Sequence, residues 1–165
     1  MMRFYRLRTI SLLITMLCAL SAQAGQRLLQ FKVDSYEGIA RSHQQQSFLM
    51  VLWSLDCSPC MAELRLLGEF HQQHPEIELV FISTDMPAQQ QAILRLMKDR
   101  GLRDTEQWVF SGASIAALRY AIDPSWYGEL PRSYVFLPGQ ERQALSGRLS
   151  RQQLHDWLLA KAKGR

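Results

Sequence analysis

Residues 48 to 67 read FLMVLWSLDCSPCMAELRLL and hold two cysteines, two residues apart, directly after an apolar run. The run SFLMVLWSL, 47 to 55, is apolar almost throughout and has the length of a strand that is buried on both faces. From Pro59 onward the apolar residues follow the spacing of a helix. The sequence therefore places Cys57 and Cys60 where a buried strand ends and a helix begins.

That position has a chemical consequence for Cys57. The first turn of a helix offers unpaired N–H groups and the positive end of the helix dipole. A thiolate there is stabilised, so its pKa falls and more of it can attack at neutral pH. Pro59 suits the first turn because its missing N–H would have no partner there. The pattern predicts an exposed attacking thiol, Cys57, and a more shielded thiol, Cys60, that resolves the mixed disulfide.

Three other uses of the cysteine pair stay open on spacing alone. A structural disulfide would close a four-residue loop and so stabilise the fold only weakly. A closed zinc site needs four ligands, and the sequence has no second cysteine pair, although His71 and His74 follow on the same helix. A copper site could combine the two thiolates with Met61 or Met50.

Beyond this segment the chain alternates between strand and helix patterns. The helix that begins at Pro59 ends near His74-Pro75. The further predicted elements are a strand at 78–84, a helix at 89–100, a strand at 107–110, a helix at 113–121, a hairpin of 133–137 and 143–149, and a helix after Ser150. Two early strands joined by a helix must be parallel, so the fold class is α/β, with a central mixed sheet flanked by helices.

Residues 1 to 24 have the order of a secretory signal peptide. The basic start, the apolar run and the small residues of the cleavage site are Arg3, Arg6, Arg8, 10–20, Ala22 and Ala24. The apolar run is about a dozen residues, and a spanning helix needs about 20, so cleavage after Ala24 is favoured over an uncleaved anchor. Cys18 follows the bulky Leu17, which argues against lipid attachment.

Cleavage would leave one domain over residues 25–165. The loss of three arginines and no acids lowers the formal charge from +4 to +1. No basic stripe with interleaved aromatic residues remains, so no nucleic-acid partner is expected. The exported domain would keep two cysteines in an oxidising compartment, where disulfides persist.

The cysteine segment also carries a longer pattern, W-x-x-x-C-x-P-C-x-x-E, matched by Trp53, Cys57, Pro59, Cys60 and Glu63. VLWSLDCSPCMAEL resembles the active-site segment of the TlpA/ResA-like periplasmic thiol-disulfide oxidoreductases of the thioredoxin superfamily. The resemblance extends from about residue 31 to 160. It implies a thioredoxin-like fold for the domain, with Trp53 packed in the core below the site.

A second stretch, GELPRSYVFLPG, resembles the cis-proline loop and the following strand of that family. The resemblance implies that Pro131 is the cis-proline, preceded by Leu130, and that this loop lies beside the cysteine pair. In the family the loop offers backbone groups to a partner's cysteine segment. Just before it, Trp126 and Tyr127 either border a docking surface for a protein partner or pack in the core.

For Glu63 the resemblance implies a partly buried carboxylate that manages protons at the cysteines. Burial would raise its pKa and let it accept the proton that Cys60 loses when it attacks. The alternative is an ordinary solvated glutamate on the helix surface. The buried acid that thioredoxin carries six residues before its first cysteine is absent here, since Val51 occupies that position.

Two residues near the motif depart from the family pattern. Asp56 stands where relatives usually have tryptophan, and Arg65 replaces a common proline. A carboxylate next to Cys57 disfavours its thiolate and opposes the helix dipole, which argues against an extreme oxidant. The alternative is that Asp56 points to solvent and has little effect.

The resemblance as a whole implies an exported, periplasmic reductase of protein disulfides. Its partners would be proteins with disulfides or thiols and a membrane thiol-disulfide electron donor. No organic cofactor or metal is expected, because the Cys57–Cys60 disulfide carries the electrons. The alternatives are a disulfide oxidant or isomerase, and a thioredoxin-fold copper chaperone that uses the same thiols as ligands.

Overall fold

The structure, a computed structural model, describes residues 28–163. The predicted signal peptide, residues 1–24, lies outside the described residues. In chain order the elements are β1 (Leu28–Phe31), α1 (Ser35–Ser42), β2 (Phe48–Trp53), α2 (Ser58–Gln73), β3 (Glu78–Ser83), a 3₁₀ turn (Pro87–Gln89), α3 (Gln90–Asp99), β4 (Glu106–Phe110), α4 (Ile115–Ile122), β5 (Arg132–Phe136), β6 (Gln143–Ser146) and α5 (Arg151–Lys163).

The strands form one six-stranded mixed sheet in the order β1-β4-β3-β2-β5-β6. The first four strands of that order run parallel to one another. Strand β5 pairs antiparallel with β2, and β6 pairs antiparallel with β5. The predicted mixed sheet, the parallel β2–β3 pair and the β5–β6 hairpin are therefore confirmed.

Strand β2 is the central strand of the sheet, and all six of its residues are buried. Successive side chains of a strand point to opposite faces of the sheet, so β2 contributes side chains to two separate hydrophobic cores. One face packs with residues of α2, α3 and α5, and the other with residues of α1 and α4. The unbroken apolar run of the sequence thus reflects a strand that is covered by helices on both sides.

The first two elements, β1 and α1, have no counterpart among the predicted elements. Strand β1 is four residues long, lies at the edge of the sheet and buries only Phe31 completely. Helix α1 buries only Ile39. Elements this short, with one fully buried residue each, give a weak pattern, and β1 forms by pairing with β4, which is distant in the sequence.

Among residues 28–163, the helices are all too short or too polar to cross a bilayer.

The two glycines that lie inside helices provide a test of the packing of α2. A Cβ added at Gly68 in α2 would meet the carbonyl oxygen of Arg100 at 1.9 Å, whereas one added at Gly38 in α1 would meet nothing within 4 Å. We expect Gly68→Ala to lower the free energy of unfolding by about 1–3 kcal/mol through overpacking. Gly38→Ala should raise it by about 0.5–1 kcal/mol.

Urea unfolding of the two variants beside the parent protein checks this prediction. Equal stabilities of Gly68→Ala and Gly38→Ala would contradict the close packing of α2 against Arg100.

Candidate redox site

The cysteine pair lies at the carboxyl end of β2, where the chain turns into α2. The turn is closed by a hydrogen bond from the backbone N–H of Cys57 to the carbonyl oxygen of Ser54, at 3.2 Å. Cys57 has extended backbone angles and is the N-cap residue of α2. Cys60 lies in the first turn of the same helix. The strand-to-helix junction predicted from the sequence is therefore confirmed.

The two cysteines are joined by a disulfide, with their Cα atoms 5.2 Å apart. The Sγ atom of Cys57 also accepts a hydrogen bond from the backbone N–H of Cys60, at 3.2 Å. Cys60 has no exposed surface, whereas Cys57 is half-buried. Sulfur on Cys57 therefore occupies the position of an N-cap acceptor, where negative charge on a reduced thiol would be stabilised.

Glu63 lies one helical turn after Cys60 and is only 1 % exposed. Its Oε1 atom accepts a hydrogen bond from the backbone N–H of Leu149 at 3.0 Å. Burial raises the pKa of Glu63 to about 7, although the hydrogen bonds from Leu149 and the Ser133 hydroxyl and the charge of Arg148 oppose the rise. The alternative of a solvated surface glutamate is therefore wrong.

Pro131 lies next to the carboxyl end of β2. The Leu130–Pro131 peptide bond is cis, and the carbonyl oxygen of Pro131 accepts a hydrogen bond from Gly147 N–H at 2.9 Å. In the β2–β5 register Leu52 pairs with Arg132, so Pro131 comes just beyond the last paired residues, on the side that leads to Cys57. The half-buried Leu130 packs against both cores.

The aromatic residues near the site have different environments. Trp53 is buried in the same core as Cys60, as the resemblance implies. Trp126 is 4 % exposed and donates a hydrogen bond from Nε1 to the carbonyl oxygen of Glu129 at 2.9 Å. Tyr127 is 90 % exposed. Core packing is therefore the correct alternative for Trp126, and only Tyr127 presents its ring at the surface.

The remaining sequence candidates, Met50, Met61 and Asp56, lie in three different environments. Met50 belongs to the core on the opposite face of the sheet from Cys60, so the copper site with Met50 as a ligand is wrong. Met61 is half-buried against the core that contains Cys60. Asp56 is exposed and its backbone N–H bonds to Ser54 Oγ at 3.3 Å. In the described part of the chain, His, Cys, Asp and Glu form no cluster of three or more suited to a metal.

A buried charged residue, Arg132, directly follows Pro131 and was not singled out from the sequence. Its guanidinium group donates to Asp123 at 3.0 Å, to the Tyr134 hydroxyl at 3.2 Å and to Glu129 at 3.3 Å. It also contacts Ser146 Oγ. These hydrogen bonds connect Asp123 and Glu129, which precede Pro131, to strand β5. The signal available in the sequence is an arginine at the start of an apolar strand.

Asp123 is the charge partner of Arg132. Burial alone would raise the pKa of Asp123, but hydrogen bonds from Ser125, Tyr134 and Arg132 outweigh burial and lower it to about 2. Asp123 is therefore a carboxylate at neutral pH. An ion pair with this degree of hydrogen bonding keeps its groups in one arrangement, and removal of either partner would leave a buried charge.

The mixed sheet, the helices on both faces, the CxxC disulfide at a helix N-terminus and the neighbouring cis-proline define a thioredoxin-like domain. Solved structures agree with this fold. A secreted disulfide oxidoreductase of Mycobacterium tuberculosis, homologous to E. coli DsbE, shares 16% sequence identity, with a TM-score of 0.57 over 73% of this chain and 85% of that chain.

Two further solved structures have similar scores. A thioredoxin-related protein from Neisseria meningitidis serogroup B shares 20% identity, with a TM-score of 0.58 over 74% of this chain and 90% of that one. A thiol:disulfide interchange protein of Chlorobium tepidum shares 17% identity, with a TM-score of 0.58 over 74% and 83% of the two chains. No protein-family model and no curated protein sequence matches the chain.

The environment of Glu63 predicts how the stability of the oxidised protein depends on pH. Burial favours the protonated carboxyl, so its contribution is fully present below the ordinary pKa of 4.5 and is lost as pH rises through about 7. Over that window we expect the parent protein to lose on the order of 3 kcal/mol relative to Glu63→Gln, which cannot ionise.

Urea unfolding of the oxidised protein across this pH range is the measurement. Glu69→Gln is the control, because Glu69 is an exposed glutamate on the same helix, and its curve should run parallel to that of the parent protein. A Glu63→Gln curve that also runs parallel to the parent curve would contradict a pKa raised by burial.

Proposed function

We propose that this chain is an exported thiol-disulfide oxidoreductase that reduces disulfides of protein partners through Cys57 and Cys60. The observation that carries the proposal is the asymmetry of the pair. Cys57 is half-buried, with its sulfur at the N-terminus of α2, and it is bonded to Cys60, which is fully buried. Two solved structures of the same fold are described as a disulfide oxidoreductase and a thiol:disulfide interchange protein, which supports thiol-disulfide chemistry for this chain.

In the proposed reaction the reduced protein donates two electrons. The Cys57 thiolate attacks one sulfur of the partner's disulfide, so that a mixed disulfide forms and the partner's other sulfur leaves as a thiolate. Cys60 then loses its proton and attacks Cys57 Sγ. The Cys57–Cys60 disulfide forms, the bond to the partner breaks, and the partner is released as a dithiol.

Glu63 is proposed as the proton acceptor for Cys60. The two residues lie three positions apart on α2 and therefore face the same side of the helix. A pKa of about 7 allows the Glu63 carboxylate both to take up and to release a proton at neutral pH.

Leu130 and Pro131 are proposed to form the edge on which the partner's cysteine segment docks. Support comes from their position beside the carboxyl end of β2, which leads into the cysteine turn. Pro59, which is exposed in the first turn of α2, would fix the start of the helix, and Trp53 would support the cysteine turn from the core beneath it. Asp56 is exposed, so its charge would act on Cys57 mainly through water, where it is screened.

The proposed location is the periplasm, reached through the signal peptide at residues 1–24. Electrons would come from a membrane thiol-disulfide carrier, which reduces the Cys57–Cys60 disulfide and so readies the protein for another cycle. The solved Mycobacterium tuberculosis protein of the same fold is described as secreted, which supports an extracytoplasmic role.

Trapping of the mixed disulfide tests the proposal. In a dithiothreitol-driven insulin reduction assay, we expect the parent protein to accelerate the reaction and Cys57→Ser to give the uncatalysed rate. Cys60→Ser keeps the attacking thiol but lacks the resolving one, so the reduced variant, mixed with insulin after dithiothreitol has been removed, should accumulate a disulfide-linked complex on a non-reducing gel.

The matched pair of serine variants distinguishes the two roles, since each removes one sulfur from the same turn. Identical behaviour of Cys57→Ser and Cys60→Ser, with no trapped complex, would contradict the assignment of Cys57 as attacker and Cys60 as resolver.

A further inference from the structure

A third buried carboxylate, besides Glu63 and Asp123, is Asp85, which lies beside the turn that carries Cys57. Asp85 follows β3 and is 7 % exposed. Its Oδ1 atom accepts a hydrogen bond from Ser54 Oγ at 2.9 Å, and its Oδ2 atom accepts from Leu55 N–H at 2.9 Å and from Ser83 Oγ at 2.6 Å. Two of the three donors belong to the segment between β2 and α2.

The segment between β2 and α2 depends on these bonds for its shape. The pairing of β2 with β3 ends at Trp53, and the next backbone bond across to the β3 side runs from Thr84 N–H to Trp53 O at 2.9 Å. Beyond it, the Asp85 carboxylate contacts both Ser54 and Leu55 from the β3 side.

Ser54 connects Asp85 to the backbone of Cys57 through hydrogen bonds. Its Oγ atom, which donates to Asp85, accepts a hydrogen bond from Asp56 N–H at 3.3 Å. Its carbonyl oxygen accepts from Cys57 N–H at 3.2 Å. Two hydrogen bonds, of 2.9 Å and 3.2 Å, therefore connect the Asp85 carboxylate to the backbone of Cys57 through Ser54.

We propose that Asp85 is a positioning residue for Cys57: by holding Ser54 and Leu55, it keeps the Cys57 sulfur at the N-terminus of α2. The proposal rests on the proposed function, because it concerns the reactivity of the same thiol. It adds a residue from the segment that follows β3 to the cysteine motif of residues 53–63.

Two effects of the Asp85 carboxylate act on Cys57 with opposite signs. Its negative charge disfavours a nearby thiolate, so loss of the charge alone would increase the thiolate fraction. Its hydrogen bonds keep the sulfur near the helix amide groups, so loss of the hydrogen bonds would decrease that fraction. If Asp85 acts by positioning, the second effect is the larger, and removal of the Asp85 side chain decreases the thiolate fraction of Cys57.

Asp85→Ala and Asp85→Asn separate the two effects. Asparagine removes the charge but keeps an oxygen for Leu55 N–H and an amide for a serine hydroxyl, whereas alanine removes every contact. The measurements are the rate of iodoacetamide alkylation of reduced Cys57, the pH titration of its ultraviolet thiolate absorbance, and urea unfolding. Alkylation needs no protein partner, so its outcome is independent of insulin reduction.

For Asp85→Ala we expect alkylation at neutral pH to slow on the order of tenfold, with the thiolate titration moved to higher pH. Asp85→Asn should stay within about threefold of the parent rate, since it retains most of the positioning. Faster alkylation of both variants would show that the charge dominates and would overturn the proposal. A loss of stability with an unchanged rate and titration would overturn it too.

Glu106→Gln is the matched control. Glu106 accepts hydrogen bonds from Trp108 Nε1 at 2.7 Å and contacts His43 Nε2 at 2.9 Å, but it lies at the amino end of β4, away from the cysteine turn. Loss of the Glu106 carboxylate should lower the free energy of unfolding without changing the rate of Cys57 alkylation.

If Asp85→Ala fails to fold, Ser54→Ala is the second variant, because it removes the hydrogen bond between Ser54 and Asp85. It should also slow the alkylation of Cys57. An unchanged rate in Ser54→Ala would then overturn the proposal.

Discussion

The structure depends on the pairing of β2 with β3 on one edge and with β5 on the other. This double pairing buries β2 on both faces and fixes where its carboxyl end emerges from the sheet. The cysteine turn begins at that end of β2. Asp85 follows the end of β3 on one side of it, and Pro131 precedes the start of β5 on the other side. One strand therefore brings together three segments that are far apart in the chain.

The chemistry of the site follows from where charge is favoured. The N-terminus of α2 favours negative charge on the Cys57 sulfur, whereas the buried surroundings of Glu63 disfavour it on that carboxylate. In the proposed reaction the Cys57 thiolate is the attacking group and the Glu63 carboxylate is the proton acceptor. Asp56, the residue before Cys57, is exposed, so water screens its charge.

The sequence predicts the parts of this arrangement that local patterning encodes. The apolar run of β2, the helical spacing after Pro59 and the β5–β6 hairpin are all present in the structure. The motif around Cys57 also points to Glu63, whose burial the structure shows. The elements β1 and α1 are too short and too exposed to give a comparable pattern.

The contacts that the sequence does not reveal are long-range. Asp85 reaches Ser54 across 31 positions, and Arg132 reaches Asp123 across nine. An aspartate after a strand or an arginine after a proline is common in surface loops, so the sequence does not predict that either residue is buried. Only the folded sheet places these charges beside the cysteine turn and the cis-proline. The signal peptide lies outside the described residues and stays a prediction.

The most direct test of the proposed function is the reduction potential of the Cys57–Cys60 couple, measured by equilibration of the purified protein in glutathione or dithiothreitol buffers. A reductase requires a potential near the thioredoxin level, about −270 mV, and that is the value we expect. A potential near about −120 mV, the level of a strong disulfide oxidant, would contradict the proposed direction of electron flow.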